Sequence, residues 1–169
     1  MANIAMLVGD GYEDSEFQQP YQRFNEAGHE VVVLGTRAGG VIKGKRGESK
    51  IEIQHTPAVV SPEDFDAVVI PGGHGPDKLR LDPAMVDFVR RYDATGNPLA
   101  AICHGPQLLI EAEVVAGHTL TSWPSVRTDL INAGARWLDQ PLVEDGKLIT
   151  SRKPDDLDVF TSAVLDAVE

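Results

Sequence analysis

Short apolar segments alternate with helical patterns along most of this chain, and this alternation restricts the fold more than any other feature. The apolar segments predict buried strands over residues 3–8, 29–35, 66–73 and 98–102. Helical spacing predicts helices over residues 13–27, 83–96, 125–133 and 154–168. A further helix is predicted to begin near Cys103. Strands that alternate with helices form a parallel sheet covered on both faces. We therefore predict the α/β class, as a flavodoxin-like three-layer sandwich with a central, mostly parallel sheet.

Two segments depart from this alternation and are predicted to form hairpins. Residues 39–53 alternate in polarity and turn on Gly47. Residues 142–151 turn at Asp145-Gly146, a pair that strongly favours a hairpin turn. No internal repeat or linker divides the sequence, and its 169 residues are enough to bury a core. We expect one domain over residues 1–169.

The charge of the chain argues against several classes of partner. The formal net charge at pH 7 is −11, whereas a nucleic-acid-binding protein normally displays a basic face. The one basic cluster, KGKRGESK at 43–50, is interpreted as a solvated hairpin turn. The apolar runs are far shorter than the roughly 20 residues needed to cross a bilayer. We therefore expect no stable nucleic-acid partner and no membrane partner.

The segment AAICHGPQ at 100–107 contains Cys103, the one cysteine of the chain. A predicted strand runs directly into this residue, and Pro106 suits the first turn of a helix. So sharp a strand-to-helix turn is the geometry of a nucleophile elbow. A thiol at a helix N-terminus faces the positive end of the helix dipole, which favours the thiolate and lowers the pKa. The alternative is a buried, unreactive cysteine, and a single free thiol also fits a reducing cytoplasm.

Other candidate site residues are predicted to collect near Cys103, at the carboxyl ends of the strands. Gly72 and Gly73 let the backbone approach a ligand, and the N–H groups of Gly73 and His104 would form an oxyanion hole, although a tight turn would also use glycines. Glu16 is predicted to face inward, because it shares a helical face with Phe17 and Pro20. A carboxylate pressed toward a thiolate would have a raised pKa and could share a proton with it.

A metal or cofactor site is not expected. The sequence has no paired cysteines and no H-x-x-x-H spacing, and most of its histidines lie in different segments. His104 remains a candidate general acid or base, with a structural hydrogen bond as the alternative. The carboxylates at the start of the first helix have a simpler interpretation too, since they interact favourably with the helix dipole.

Five longer motifs combine these residues and cover nearly the whole chain. They are GYEDSEFQQPYQRFNEAGHEV at 11–31, DAVVIPGGHGPDKLR at 66–80, AAICHGPQLLIEAEVVAG at 100–117, TSWPSVRTDLINAGARWLD at 121–139 and DGKLITSRKPDDL at 145–157. With them the chain resembles the PfpI (intracellular protease I) family. That family belongs to the superfamily that also holds the Parkinson-associated protein deglycase, with a fold like that of class I glutamine amidotransferases. The resemblance implies a flavodoxin-like fold with a reactive cysteine at the elbow.

The resemblance also implies roles for individual residues. Cys103 matches the reactive cysteine, His104 the histidine that follows it, and Glu16 the buried glutamate that hydrogen-bonds the sulfur. Asp77 matches an acidic residue that, in peptidases of the family, comes from a neighbouring subunit and orients the histidine, although aspartate is one methylene shorter than the usual glutamate. His74 occupies a position where some relatives carry arginine, and we include it among the substrate-binding candidates.

Three functions follow as hypotheses. The first is a cysteine-dependent, stress-protective enzyme of the glyoxalase III or deglycase type, acting on methylglyoxal and its adducts, including glycated proteins. The second is an intracellular cysteine peptidase that uses Cys103, His104 and an acidic residue of a neighbouring subunit. The third is a non-enzymatic redox sensor or chaperone that works through oxidation of Cys103. We expect a cytoplasmic homodimer or higher homo-oligomer, as is usual in the family.

Overall fold

The computed structural model describes residues 1–169 as ten strands and six α-helices. The strands are β1 (Asn3–Leu7), β2 (Glu30–Leu34), β3 (Val41–Lys43), β4 (Lys50–Glu52), β5 (Ala67–Ile70), β6 (Leu99–Ile102), β7 (Thr119–Leu120), β8 (Arg136–Trp137), β9 (Val143–Asp145) and β10 (Leu148–Ser151). The helices are α1 (Asp14–Glu26), α2 (Gly75–Leu79), α3 (Pro83–Asp93), α4 (Pro106–Glu111), α5 (Arg127–Asn132) and α6 (Leu157–Val168). None of these helices is long and apolar enough to span a membrane.

The central sheet has six strands in the order β2-β1-β5-β6-β10-β9. All neighbouring pairs are parallel except β10 with β9, which are antiparallel. This is the predicted flavodoxin-like α/β fold. The order places β1, β5 and β6 side by side, so the segments that follow these three strands meet at one edge of the sheet.

Side chains of the central strands alternate between two apolar cores. In β1, Ala5 and Leu7 join the core that includes residues of α3 and α4, whereas Ile4 and Met6 join the core that includes residues of α1 and α6. The central strands are buried on both faces, which explains their continuous apolar sequences. Each fully buried large side chain contributes roughly 1.5–3 kcal/mol through its removal from water.

Most predicted elements are present, with shorter bounds, and the differences have local causes. Helix α2 follows β5 and was not predicted, because Gly75 and Pro76 resemble a turn in sequence. The helix predicted to begin near Cys103 begins at Pro106, because the preceding residues form the turn itself. Both predicted hairpins form, as β3–β4 and β9–β10.

A buried carboxylate attaches the β3–β4 hairpin to the start of α1. Asp14 is fully buried, and its Oδ1 accepts hydrogen bonds from the backbone N–H groups of Glu48 (3.1 Å) and Ser49 (3.0 Å) and from the Ser49 hydroxyl. Its Oδ2 accepts a bond of 2.9 Å from the N–H of Arg46. Burial favours the neutral acid, but these hydrogen bonds outweigh it and lower the pKa of Asp14. The basic turn is therefore docked on the domain.

Replacing this carboxylate tests its structural role. We expect Asp14→Ala to lower the free energy of unfolding by about 2–4 kcal/mol near neutral pH, because three N–H donors and a hydroxyl of the hairpin lose their acceptor. The pKa of Asp14 is lowered in the folded protein, so its contribution is present above the unfolded-state pKa and is lost as the pH falls through the folded value. Urea denaturation measures both effects.

The exposed Asp158 provides the matched control, since it lies in the first turn of α6 with a 99% exposed side chain. Asp158→Ala should change the free energy of unfolding by less than about 0.5 kcal/mol. Equal losses in the two variants would show that Asp14 does not hold the hairpin.

Candidate active site

Cys103 lies in a sharp turn between β6 and α4. Its φ of 63° is in the left-handed region that residues with a side chain rarely adopt. Hydrogen bonds hold the turn: the N–H of Cys103 donates to Ser151 O (3.1 Å), and its carbonyl accepts from the N–H of Trp123 (2.9 Å). Strained backbone of this kind persists where the surrounding structure determines it, and it is common at active sites. The structure therefore has the geometry of a nucleophile elbow.

Two glycines allow the chain to close around this elbow. A Cβ at Gly105 would lie 2.6 Å from the carbonyl oxygen of Ile70, so only glycine lets α4 begin against β5. A Cβ at Gly72 would lie 2.6 Å from Glu16 Oε1, 2.7 Å from the Cβ of Cys103 and 2.9 Å from the backbone nitrogen of His104. The carboxyl, the thiol-bearing carbon and an amide thus converge on the space that Gly72 leaves free.

Glu16 is a fully buried carboxyl beside the thiol. Its Oε1 accepts a hydrogen bond of 2.8 Å from the N–H of Gly72, and Oε2 is buried without a hydrogen-bond partner. Burial raises the pKa of Glu16 to about 8, against the opposing effect of the Gly72 hydrogen bond. Glu16 therefore carries a proton at neutral pH and can donate it within the site.

The environment of the Cys103 sulfur differs from the sequence-based expectation. Burial and then the negative charge of Glu16 raise the pKa of the thiol, while hydrogen bonds from the N–H groups of Gly73 and His104 lower it. The expected fall in pKa assumed a helix that begins at the cysteine, but the sulfur is buried and α4 begins three residues later. A protonated Glu16 removes the charge repulsion, so the state of one group controls the other.

His104 is half-buried, and its ring lies beside the sulfur. Nδ1 is 3.5 Å from Cys103 Sγ, Nε2 is 3.4 Å from the hydroxyl of Ser125, and the ring stacks on Trp123 with centroids 6.5 Å apart. Burial lowers the pKa of His104. The imidazole is therefore neutral at pH 7 and able to accept a proton.

The remaining predicted side chains, His74 and Asp77, are exposed residues at the start of α2. Their charges act on His104 in opposite directions, since His74 lowers its pKa and Asp77 raises it. Asp77 makes no hydrogen bond to His104 within the chain. The His104 ring is instead within hydrogen-bond distance of Cys103 Sγ and the Ser125 hydroxyl. The chain alone thus brings Cys103, His104 and Glu16 together, with Asp77 at longer range.

A cluster of charged side chains at the start of α1 was not anticipated from the sequence. The buried carboxylate of Glu13 accepts a hydrogen bond from Arg46 Nε (2.6 Å) and lies 3.9 Å from Lys45 Nζ. Ser15 donates to Glu13 through both its N–H and its hydroxyl. The basic cluster at 43–50 forms the predicted hairpin with most of its residues exposed, whereas its attachment to the start of α1 was not predicted.

Comparisons with known proteins agree with this architecture. The profile of the DJ-1/PfpI family matches residues 2–167. The chain is 47% identical to "Protein/nucleic acid deglycase 2" of Escherichia coli, over 96% of this chain and 95% of that protein. It is 42% identical to "Putative cysteine protease YraA" of Bacillus subtilis, over 98% of both chains.

A solved structure shows the same fold. A two-domain protein of Anabaena variabilis with DJ-1/ThiJ/PfpI-like and ferritin-like domains superposes with a TM-score of 0.97 and 45% identity. The match covers 98% of this chain and 48% of that protein, so this chain spans about half its length.

The coupling between Glu16 and the sulfur can be measured through the alkylation rate of Cys103. Glu16 loses its proton as the pH rises through about 8, and its charge then opposes the thiolate. The side chain in Glu16→Gln stays neutral at every pH. We expect similar iodoacetamide rates in the two proteins near neutral pH, and about tenfold faster alkylation of Glu16→Gln above the pKa of Glu16.

Glu26→Gln is the control, because it removes the same charge from the exposed far end of α1. Its pH profile should follow the wild type. Parallel profiles for wild type and Glu16→Gln would show that the charge of Glu16 does not act on the sulfur.

Proposed function

The chain belongs to the DJ-1/PfpI family, and from this premise we propose that it is a cysteine-dependent enzyme acting on small reactive carbonyls. The proposed substrates are methylglyoxal and its adducts on proteins, in a glyoxalase III or deglycase type of reaction. The observation that carries the proposal is the arrangement around Cys103. Its sulfur faces a carboxyl that holds a proton, a neutral histidine and two backbone N–H groups.

These groups supply each part of the addition step. The Cys103 sulfur attacks the aldehyde carbon, the C=O bond opens, and the new oxygen receives a proton, which gives a hemithioacetal. The N–H groups of Gly73 and His104 stabilise the developing oxyanion. The thiol proton passes to the His104 ring, whose lowered pKa keeps it available as a base, while Glu16 donates the proton that the oxygen takes.

The later steps need only proton transfers and water. In the methylglyoxal adduct, a base removes the C–H proton next to the sulfur and the proton returns to the neighbouring carbon, which gives a lactate thioester. Water then cleaves the C–S bond, releases lactate and restores the thiol. In an adduct with a protein amine, the same attack at the carbonyl-derived carbon releases the amine. No external oxidant or reductant is required.

The proposal covers residues 1–169 as one PfpI-like domain, active in the cytoplasm as a homo-oligomer. The relative named a protein/nucleic acid deglycase supports glycated macromolecules as substrates. The acidic net charge of −11 favours transient contact with nucleic acids rather than stable binding.

Cysteine peptidase activity is the second candidate, favoured by the 3.5 Å approach of His104 Nδ1 to the sulfur. A relative at 42% identity bears the name of a putative cysteine protease. Asp77 makes no hydrogen bond to His104 within the chain, so this function requires an acidic residue from a neighbouring subunit. A redox role for Cys103 is compatible with the same site.

Lactate formation from methylglyoxal tests the proposed reaction. We expect Cys103→Ser to reduce lactate formation to the rate without protein, because no sulfur remains to form the adduct. Glu16→Gln should lower kcat by roughly 10²–10⁴-fold through loss of its proton transfer. Circular dichroism checks that both variants fold.

Asp77→Ala separates the two candidate functions. It should leave lactate formation within about threefold of the wild type and abolish any hydrolysis of peptides that depends on an intersubunit triad.

Lactate formation that persists in Cys103→Ser would overturn the proposed function.

A further inference from the structure

The segment after strand β7 carries a serine whose hydroxyl reaches the ring of His104. Ser125 lies in a short 3₁₀ turn, Pro124–Val126, and its Oγ is 3.4 Å from His104 Nε2. The other ring nitrogen, Nδ1, is 3.5 Å from Cys103 Sγ. The imidazole therefore contacts the thiol through one nitrogen and this hydroxyl through the other.

The backbone around Ser125 is fixed relative to the elbow. The N–H of Trp123 donates to the carbonyl of Cys103 (2.9 Å), and the N–H of Val126 donates to the carbonyl of Trp123 (3.0 Å). The hydroxyl of the buried Ser122 donates to the same Trp123 carbonyl (2.8 Å), and the side chain of Val126 is buried in the core. None of these contacts involves the Ser125 side chain, so its hydroxyl can be removed without releasing the turn.

Ser125 provides the only side chain of the chain that hydrogen-bonds Nε2 of His104. The indole of Trp123 stacks on the imidazole with centroids 6.5 Å apart, which restricts the plane of the ring. Stacking does not determine which edge of the ring faces the sulfur. That direction depends on the hydrogen bond at Nε2.

This hydrogen bond also determines what Nδ1 can do. A neutral imidazole carries one ring proton, so the partner of one nitrogen decides whether the other is a donor or an acceptor. When Nε2 carries the proton and donates it to Ser125, Nδ1 presents a free lone pair to the thiol. The addition step needs this arrangement, because the thiol proton passes to the His104 ring. Once the ring holds both protons, its bond to Ser125 becomes stronger, since the donor is then charged.

We propose that Ser125 is a positioning residue, which holds His104 through Nε2 so that Nδ1 accepts the thiol proton of Cys103. It orients the histidine within one chain, whereas the peptidase hypothesis assigns that task to an acidic residue of a neighbouring subunit. A hydroxyl orients the ring without adding a negative charge, so the imidazole remains neutral until it takes the proton. This inference rests on the proposed function for the reaction, but the orientation of the ring is a property of the site itself.

Two substitutions test this role by turnover of methylglyoxal. Ser125→Ala removes the acceptor at Nε2, whereas Ser125→Thr retains a hydroxyl. We expect Ser125→Ala to lower kcat for lactate formation by roughly three- to tenfold, the effect of losing one neutral hydrogen bond, with KM within about twofold of the wild type. Ser125→Thr should keep kcat within about twofold of the wild type.

The pKa of His104 distinguishes a hydrogen bond from a merely structural role. It is followed by NMR through the ring signals that disappear in His104→Gln. Loss of the acceptor removes support for the charged ring, so we expect Ser125→Ala to lower the pKa of His104 further and Ser125→Thr to restore it. Loosening of the turn would raise this pKa instead, because water would relieve the burial that lowers it. The charges of Lys45, His74 and Asp77, which also act on His104, are the same in every variant.

Thr128→Ala is the matched control, because it removes an exposed hydroxyl three residues further along, in the first turn of α5. Its kcat and its His104 pKa should equal those of the wild type. A His104 pKa that rises or stays unchanged in Ser125→Ala would overturn the proposal. Equal losses of kcat in Ser125→Ala and Ser125→Thr would overturn it as well.

The two measurements together separate this proposal from the proposed reaction. The reaction would be refuted and the role of Ser125 supported by a wild type that makes no lactate, together with a His104 pKa that falls in Ser125→Ala and recovers in Ser125→Thr. Lactate formation at equal rates in the wild type and Ser125→Ala would support the reaction and refute the role of Ser125.

Discussion

The buried pair of Glu16 and Cys103 determines what this site can do. Neither group is readily charged there, because burial raises the pKa of both, and a charged Glu16 raises the pKa of the thiol further. The pair therefore behaves as one acid–base unit, in which the protonation of one member sets the state of the other. Gly72 makes the pairing possible, because any side chain there would occupy the space where the two groups meet.

The parallel sheet places Glu16 and Cys103 at the same edge, where its strands end. Strands β1, β5 and β6 are neighbours, so the segments after them, which contain Glu13, Gly72 and Cys103, meet at their carboxyl ends. Ligand sites in open α/β sheets lie at this edge for the same reason. The left-handed backbone conformation of Cys103 is strained. Backbone hydrogen bonds with Ser151 and Trp123 hold it in place.

The β3–β4 hairpin links the stability of the fold to the electrostatics of the site. Asp14 fixes the hairpin through its backbone N–H groups, and the adjacent Glu13 holds the side chains of Arg46 and Lys45. Two successive carboxylates thus have separate functions, one binding backbone and the other binding cations. These polar contacts add to the packing of Ile42 and Ile51 against the core that contains Cys103, and together they hold the hairpin on the domain.

The sequence by itself determined the alternation of strands and helices, the elbow at Cys103 and the inward position of Glu16. These features depend on local periodicity, on the positions of glycine and proline, and on motifs that are contiguous in the chain. It did not reveal helix α2, the direction of the thiol pKa or the docking of the β3–β4 hairpin on Asp14. Only the tertiary structure decided these, because burial, hydrogen bonding and charge proximity arise when distant segments meet: Glu16 and Cys103 are 87 positions apart, and the hairpin N–H groups that Asp14 binds follow it by 32 to 35 positions.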